Sequence, residues 1–386
     1  MTSLLQRPVT RWVAPLATAV LFIAGGSVVS ALTSAAHADL APRSAAQLLV
    51  DVEHAKLAGL SGTIVQNADL GLPALPTGAV SGLAGSDSSM TALLSGTHTL
   101  RTWYAGPEHV RLALLGQLGE SDLIRNGRDL WSWSSSSATR GTAEHWVLPT
   151  DSGSRHHAGG PALPGQALTP QQAAEKALSA ISPSTTVTTN GTAVVANRPA
   201  YLLTLAPRTS KTLIESVQIA IDGRTHVPTR VQVYANGTKD PVFSVGFTSF
   251  DPSTPSMSVF GFNPPPGTKV TQGKLSDLMP GGKVMKDHRA AGHTGTPLRP
   301  TVVGSDWSTV LVTHLPSKAL AELTSPGGKK AGPLGAVLAK LPEVHGTWGS
   351  GRLLAGTVFS ALLTDDGRLA VGAVPPSQLY AALAGR

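Results

Sequence analysis

The residues that could carry chemistry are thinly and irregularly placed in this chain. The string "GTKVTQGKL" puts Gly267, Gly273 and Lys274 near the order of a phosphate-binding loop, in which backbone N–H groups cradle phosphate and a Ser or Thr holds magnesium. Here five residues separate the glycines where that loop has four, and Leu275 stands where the hydroxyl belongs. "SPGGKKAG" fails the same test. A nucleophilic serine on a strand-to-helix elbow needs G-x-S-x-G. The nearest strings, "GLSGT" and "WGSGR", read as tight turns beside strands. There are 12 histidines, and the densest groups are His156 with His157 and Asp287 with His288 and His293. Metal ligation wants i, i+4 or strand-alternate spacing on a rigid element; these groups sit in glycine-containing stretches and read as loop histidines. Asp365 and Asp366 precede Gly367, where turn geometry accounts for both. The residue types point away from an enzyme, and no catalytic residue, cofactor site or metal site is expected.

What the chain offers instead is apolar strand faces bearing large rings. In "RDLWSWSSSS", Trp131 and Trp133 fall on one face, and Leu130, Ser132 and Ser134 on the other. Two readings of such faces stay open: ordinary core, since aromatics dominate cores, or the wall of a concave apolar pocket that holds an acyl chain or apolar peptide. The pocket reading selects Trp103, Val110, Leu112, Leu114, Trp131, Trp133, Val217, Ile219, Ile221, Val231, Val233, Val245 and Phe247 as lipid-contacting residues. It takes each register from alternation alone, so a slip of one residue would reverse a whole strand.

The elements that must position these residues are mostly strands. "SAAQLLVDVEHAKLAGL" sets Ala45, Leu48, Leu49, Val52 and Ala55 on one helical face, with Ser44 as N-cap. A first strand follows, then "LPTGAVSGLAGSDSS", a loop by its Gly, Ser and Pro. Four short strands come next, with turns at Gly106-Pro107 and Asn126-Gly127. "TPQQAAEKALSAIS" opens with a capping box from Thr169 to Gln172 and predicts a second helix. Further strands predict hairpin turns at Asn190-Gly191 and Asp222-Gly223, with Pro228 suited to a strand start. Residues 271–300 have no sustained period and read as a linker. The last 86 residues, 301–386, predict a small α/β module with a hairpin at Asp366-Gly367 and a closing helix.

Composition sets the class. Apolar residues are 41% of the 386 and charged ones 14%, enough to build a core over most of the length. Arg7 and Arg11 precede a long apolar run that ends in Ala36-His37-Ala38, so residues 1–38 are expected to be a secretory signal peptide or, uncleaved, an N-terminal anchor. Either places the rest outside the cytoplasm. The absence of cysteine excludes a disulfide framework and thiolate chemistry. The formal charge of +7 is scattered, which suits peripheral contact with an anionic membrane or wall surface and not nucleic acid.

The order of these pieces resembles the LolA-like outer-membrane lipoprotein carriers and the related MucB/RseB-type regulators. The residues that carry it are "LLVDVEHAKLAGLSGTIVQ", "TWYAGPEHVRLALLG", "ESDLIRNGRDLWSW", "IAIDGRTHVPTRVQVY" and "FGFNPPPGTKV". The resemblance implies an unclosed antiparallel β-barrel capped by helices over residues 39–270, mainly β in class, whose interior accepts lipid or the acyl chains of a lipoprotein. The carriers have an arginine before the Pro of the second strand that matters for ligand transfer. This chain has Gly106 before Pro107, which puts arginine-dependent transfer in doubt. The tail resembles the small C-terminal module of MucB/RseB-type proteins, which sense mislocalised lipoprotein and bind an anti-sigma factor. That implies, as the alternative, a regulatory sensor with a membrane-anchored partner.

Overall fold

The computed structural model describes residues 40–71, 96–116, 119–136, 139–149, 183–273, 300–317, 320–321, 335 and 337–385. The amino-terminal apolar run, the helix expected after Thr169 and most of the expected linker lie outside the described residues. Among the described residues no helix is long and apolar enough to cross a membrane.

Ser44 opens helix α1 (Ala45–His54) as expected. Its hydroxyl accepts from the Gln47 amide at 3.2 Å, while the Gln47 side chain accepts from the Ser44 amide at 2.9 Å. Two donors that the helix cannot satisfy internally are thereby paired. The helix buries Leu48, Leu49 and Val50.

The large sheet contains β1 (Leu60–Ala68), β2 (Gly96–Tyr104), β3 (His109–Leu115), β4 (Glu120–Asn126), β5 (Asp129–Ser136), β6 (Thr139–Val147), β7 (Thr185–Val195), β8 (Arg198–Pro207), β9 (Ile214–Asp222), β10 (Pro228–Ala235), β11 (Phe243–Asp251) and β12 (Lys269–Gln272). Its order is β12-β6-β5-β4-β3-β2-β1-β11-β10-β9-β8-β7, an open sheet whose end strands, among the described residues, are β12 and β7. Only β12 runs parallel to its neighbour, β6. The first strand thus lies in the middle, joining β2–β6 to β7–β11. A bulge between Thr63 and Ile64 shifts its register against β11, and a Cβ at Gly62 would stand 2.3 Å from the Ser249 carbonyl oxygen. Only glycine fits that crossing.

The sheet curls. Although three strands separate them, β7 comes within contact of β11, and Val187 of β7 packs into the cluster that holds Phe243 of β11. The face carrying Leu203, Leu205, Ile219, Val233 and Phe243 is therefore the concave one. Helix α1 lies in it, with Leu48 and Leu49 packed on Tyr201, Leu203 and Ile221. The mainly β, unclosed half-barrel expected from the sequence is what the chain forms.

Two turns differ from expectation. Asn190-Gly191 lies inside β7 as a bulge between Thr189 and Thr192, and the hairpin turns at Ala196 and Asn197, with φ of 51° and 59°. Positive φ at both central residues is what a two-residue hairpin demands, and Asn tolerates it without being followed by Gly. Asp222-Gly223 opens a longer loop, and Pro228 begins β10, where its missing N–H removes no ladder bond.

A second sheet forms the carboxy-terminal module: β13 (Thr301–Val303), β14 (Val310–His314), β15 (Glu343–Gly346), β16 (Gly349–Ala355), β17 (Ser360–Thr364) and β18 (Arg368–Gly372), in the order β13-β14-β18-β17-β16-β15. Helix α2 (Pro376–Ala384) closes its core, burying Leu379, Ala382 and Leu383 against Val310, Val312, Leu353 and Leu362.

Asp222 organises the β9–β10 connection. Its carboxylate accepts from Arg198 Nε at 2.6 Å and Nη2 at 2.9 Å, and from the Thr225 amide and hydroxyl, each at 2.8 Å. Burial opposes ionisation, but the bonds from Arg198 and Thr225 outweigh it and hold the Asp222 pKa at about 2. A lowered pKa contributes stability that is present above the unfolded value of 3.8 and lost as pH falls through about 2. Asp222→Ala should cost about 3 kcal/mol at neutral pH, since it orphans a paired guanidinium. Thermal unfolding from neutral pH to pH 2 should show the gap between wild type and variant closing over that acid window.

Candidate functional site

Residues directly opposite in an antiparallel pair point to one face, so the registers decide which predicted liners meet. Val110, Leu112 and Leu114 of β3 face inward. Leu114 pairs with Leu100, which pairs with Ile64, which pairs with Phe247. Val245 pairs with Val231, Val231 with Ile219 and Val233 with Val217, and Ile221 alternates with Ile219. These ten of the expected liners share the concave face.

Trp103, Trp131 and Trp133 do not. Trp103 pairs with Arg111, Arg111 with Ile124 and Ile124 with Trp131, which places these rings on the convex side. Trp133 joins them opposite Asp122. Alternation inside a strand sorts its residues into two sets, but only cross-strand register says which set meets the neighbour's. The expected single pocket is thus split between two surfaces.

The concave surface has two parts. Under β8–β11 it is filled from within the protein: α1 covers Tyr201, Leu203 and Ile221, while Trp307 and Val358 of the carboxy-terminal module cover Leu205, Val217, Val233 and Phe243. Across β1–β3 it consists of Leu100 and Leu114, both buried, with Ile64 and Leu112 packed on them. Beyond that patch the same rows turn polar. Leu114 pairs with Ser121 and Ser121 with Ser134, the two hydroxyls meeting at 2.8 Å, while Leu123 beside them remains 41% exposed.

The convex surface of β3–β6 is crossed by residues 252–268, a strap that leads from β11 to β12. Its short 3-10 turn (Met257–Phe260) buries Phe260 completely. Phe262 lies against Trp131 and Trp133 at centroid distances of 5.3 and 6.1 Å, and Phe260 lies 5.7 Å from His109. Arg111 anchors the strap. It donates to the Val259 carbonyl at 3.2 Å, sits 5.4 Å from the centre of the Trp103 ring and pairs with Asp122. A pocket of about 330 Å³ remains between strap and sheet, lined by Asn126, Asp129, Trp131, Phe260, Gly261 and Phe262. His145 closes the other side of Trp131, stacked at 4.1 Å and bonded to Asp129 at 2.8 Å. Among the described residues no group of three or more His, Cys, Asp or Glu side chains could hold a metal ion.

No family model and no curated protein matches the chain. Solved structures do. The complex of Pseudomonas aeruginosa MucA/MucB is similar at 15% identity, covering 88% of this chain and 96% of that one, with a TM-score of 0.40. A crystal structure of MucB is similar at 13% identity over 87% and 95%, with a TM-score of 0.36. A LolA superfamily protein from Nitrosomonas europaea is similar at 10% identity over 57% and 99%, with a TM-score of 0.20. Identities and scores are low, and the architecture above stands on its own strand order and registers.

Sequence reasoning missed the strap and the Arg111–Asp122 pair. The available signal was that both charges interrupt apolar strands, in "VRLALL" and "SDLI", a pattern that asks for a partner. Asp122 is 1% exposed. Burial pushes its carboxyl up to about 6, against the pull of the Arg111 charge and with a further rise from Glu120. A raised pKa contributes stability that is complete below the unfolded value of 3.8 and lost as pH rises through about 6. Wild type should therefore lose stability relative to Asp122→Asn between about pH 4 and pH 6. A difference in melting temperature that stays flat over that window would show that Asp122 does not titrate there.

Proposed function

We propose that the protein is an exported, non-enzymatic binding protein that holds lipid, or the acyl chains of a lipoprotein, against the concave face of its half-barrel. The observation that carries this reading is the apolar patch Ile64, Leu100, Leu112 and Leu114, which continues a concave surface built almost wholly of aliphatic side chains. It gives way along the same cross-strand rows to Ser121 and Ser134. Acyl chains need apolar area and no directed bonds, and the half-buried Ile64 and Leu112 with the exposed Leu123 beside them offer it over the buried Leu100 and Leu114. The polar rows beside it suit a ligand with one wet end. The sequence resemblance points the same way.

A second reading gives the protein a regulatory partner, membrane-anchored and contacted through the carboxy-terminal module. It is favoured by the module's having a core of its own, closed by α2, which a minimal carrier does not need. A pull-down that retains the same partners after residues 301–386 are deleted would remove its basis.

The acyl reading is tested by mass spectrometry of organic extracts from the purified protein and by uptake of a fluorescent long-chain fatty acid. Co-purified lipid and saturable uptake are expected; failure of both sinks the proposal. Leu123→Glu, at an exposed position that should not disturb folding, is expected to weaken uptake about tenfold, the factor that 1.4 kcal/mol represents.

A further inference from the structure

One end of the concave surface is occupied by the protein's own carboxy-terminal module. Trp307 and Val358 pack on Leu205, Val217, Val233 and Phe243. The indole N–H of Trp307 donates to the Thr185 hydroxyl at 2.8 Å, and Thr185 is buried. Three further bonds clamp the module in place. The Leu213 amide and the Thr212 hydroxyl donate to the Ala373 carbonyl at 2.9 and 2.7 Å, and the Thr357 amide donates to the Leu70 carbonyl at 2.8 Å. Trp307 is presented on a turn whose Asp306 has φ of 51°, a left-handed conformation unusual for a residue other than glycine. Such a conformation persists only where surrounding contacts hold it.

These contacts are peripheral to both units. The module keeps its own core beneath α2, and the large sheet keeps its complete ladders. Undocking would bare Val217, Val233 and Phe243 without breaking either sheet. Val217 and Val233 are among the side chains that strand alternation selects as ligand wall.

We infer that an acyl ligand and the docked module compete for this end of the concave face, so that ligand entry displaces Trp307 and releases the module. The inference rests on the acyl-binding reading above. It follows that apparent ligand affinity is lowered by the fraction of molecules in which the module is docked, and that loosening the dock raises it.

The test uses the full chain, a fluorescent long-chain fatty acid, and three proteins: wild type, Trp307→Ala and Thr185→Val, the last of which puts a methyl group in place of the hydroxyl. Competition requires tighter probe binding in both variants, by about tenfold for Trp307→Ala and by a smaller factor for Thr185→Val. It also requires faster hydrogen exchange at the Leu213 and Thr357 amides of wild type when unlabelled fatty acid is added. Should Trp307→Ala fail to fold, Thr185→Val and the wild-type exchange decide. Unchanged or weaker affinity with unchanged exchange overturns the competition and leaves acyl binding standing. No probe binding in any of the three overturns acyl binding itself, and the competition with it.

Discussion

A curled sheet that does not close into a barrel has an inner face too apolar to leave in water and no opposite wall to cover it. Each buried aliphatic side chain gains on the order of 1.5–3 kcal/mol from being covered, so this face is stable only when something covers it. Among the described residues, two pieces outside the large sheet supply that cover. Helix α1 covers Tyr201, Leu203 and Ile221, and Trp307 and Val358 cover the cluster around Phe243. A carrier of grease and a stable fold make the same demand on this face. The difference lies in whether the cover is permanent.

The convex side meets the condition differently. There the rings of Trp131 and Trp133 meet Phe262 of an irregular strap, and the strap is tied by a buried charge pair. Arg111 reaches three kinds of partner: the Asp122 carboxylate, the Val259 carbonyl and the face of the Trp103 ring. Such a pair adds little stability over apolar packing, but it fixes position, because removing one partner strands the other. Through Val259 it sets where Phe260 and Phe262 lie, and with them the walls of the small pocket beside Trp131.

Much of this was legible in the sequence. Ser44 and Gln47 announce α1, period-two alternation announces the strands, and Asp366-Gly367 announces its hairpin. Which residues of a strand share a face was legible strand by strand, and ten of the expected liners fall on the concave face. What could not be read was relation across distance. Whether Trp131 looks the same way as Leu112 depends on a chain of pairings through β4, and no local pattern encodes it. Asn190-Gly191 carried the right chemistry for a turn, yet the chain spent it on a bulge, because Ala196-Asn197 could turn as well and let β7 pair along β8. Trp307 gave no signal at all: one indole in a polar stretch, meaningful only because the fold returns it to Thr185.

The central place of β1 has a consequence for how the chain is made. Most strands pair with a neighbour next in sequence, so β2–β6 and β7–β11 can each zip up locally. The seam between them cannot. Thr63 donates its amide to the Ser249 hydroxyl, a partner 186 residues away, and until that residue has been synthesised one side of β1 has nothing to pair with. Closing so large a loop is entropically slow to achieve, although its cost grows only with the logarithm of its length. Until that seam closes the protein is two unjoined ribbons, and the concave face exists only once the first strand meets the eleventh.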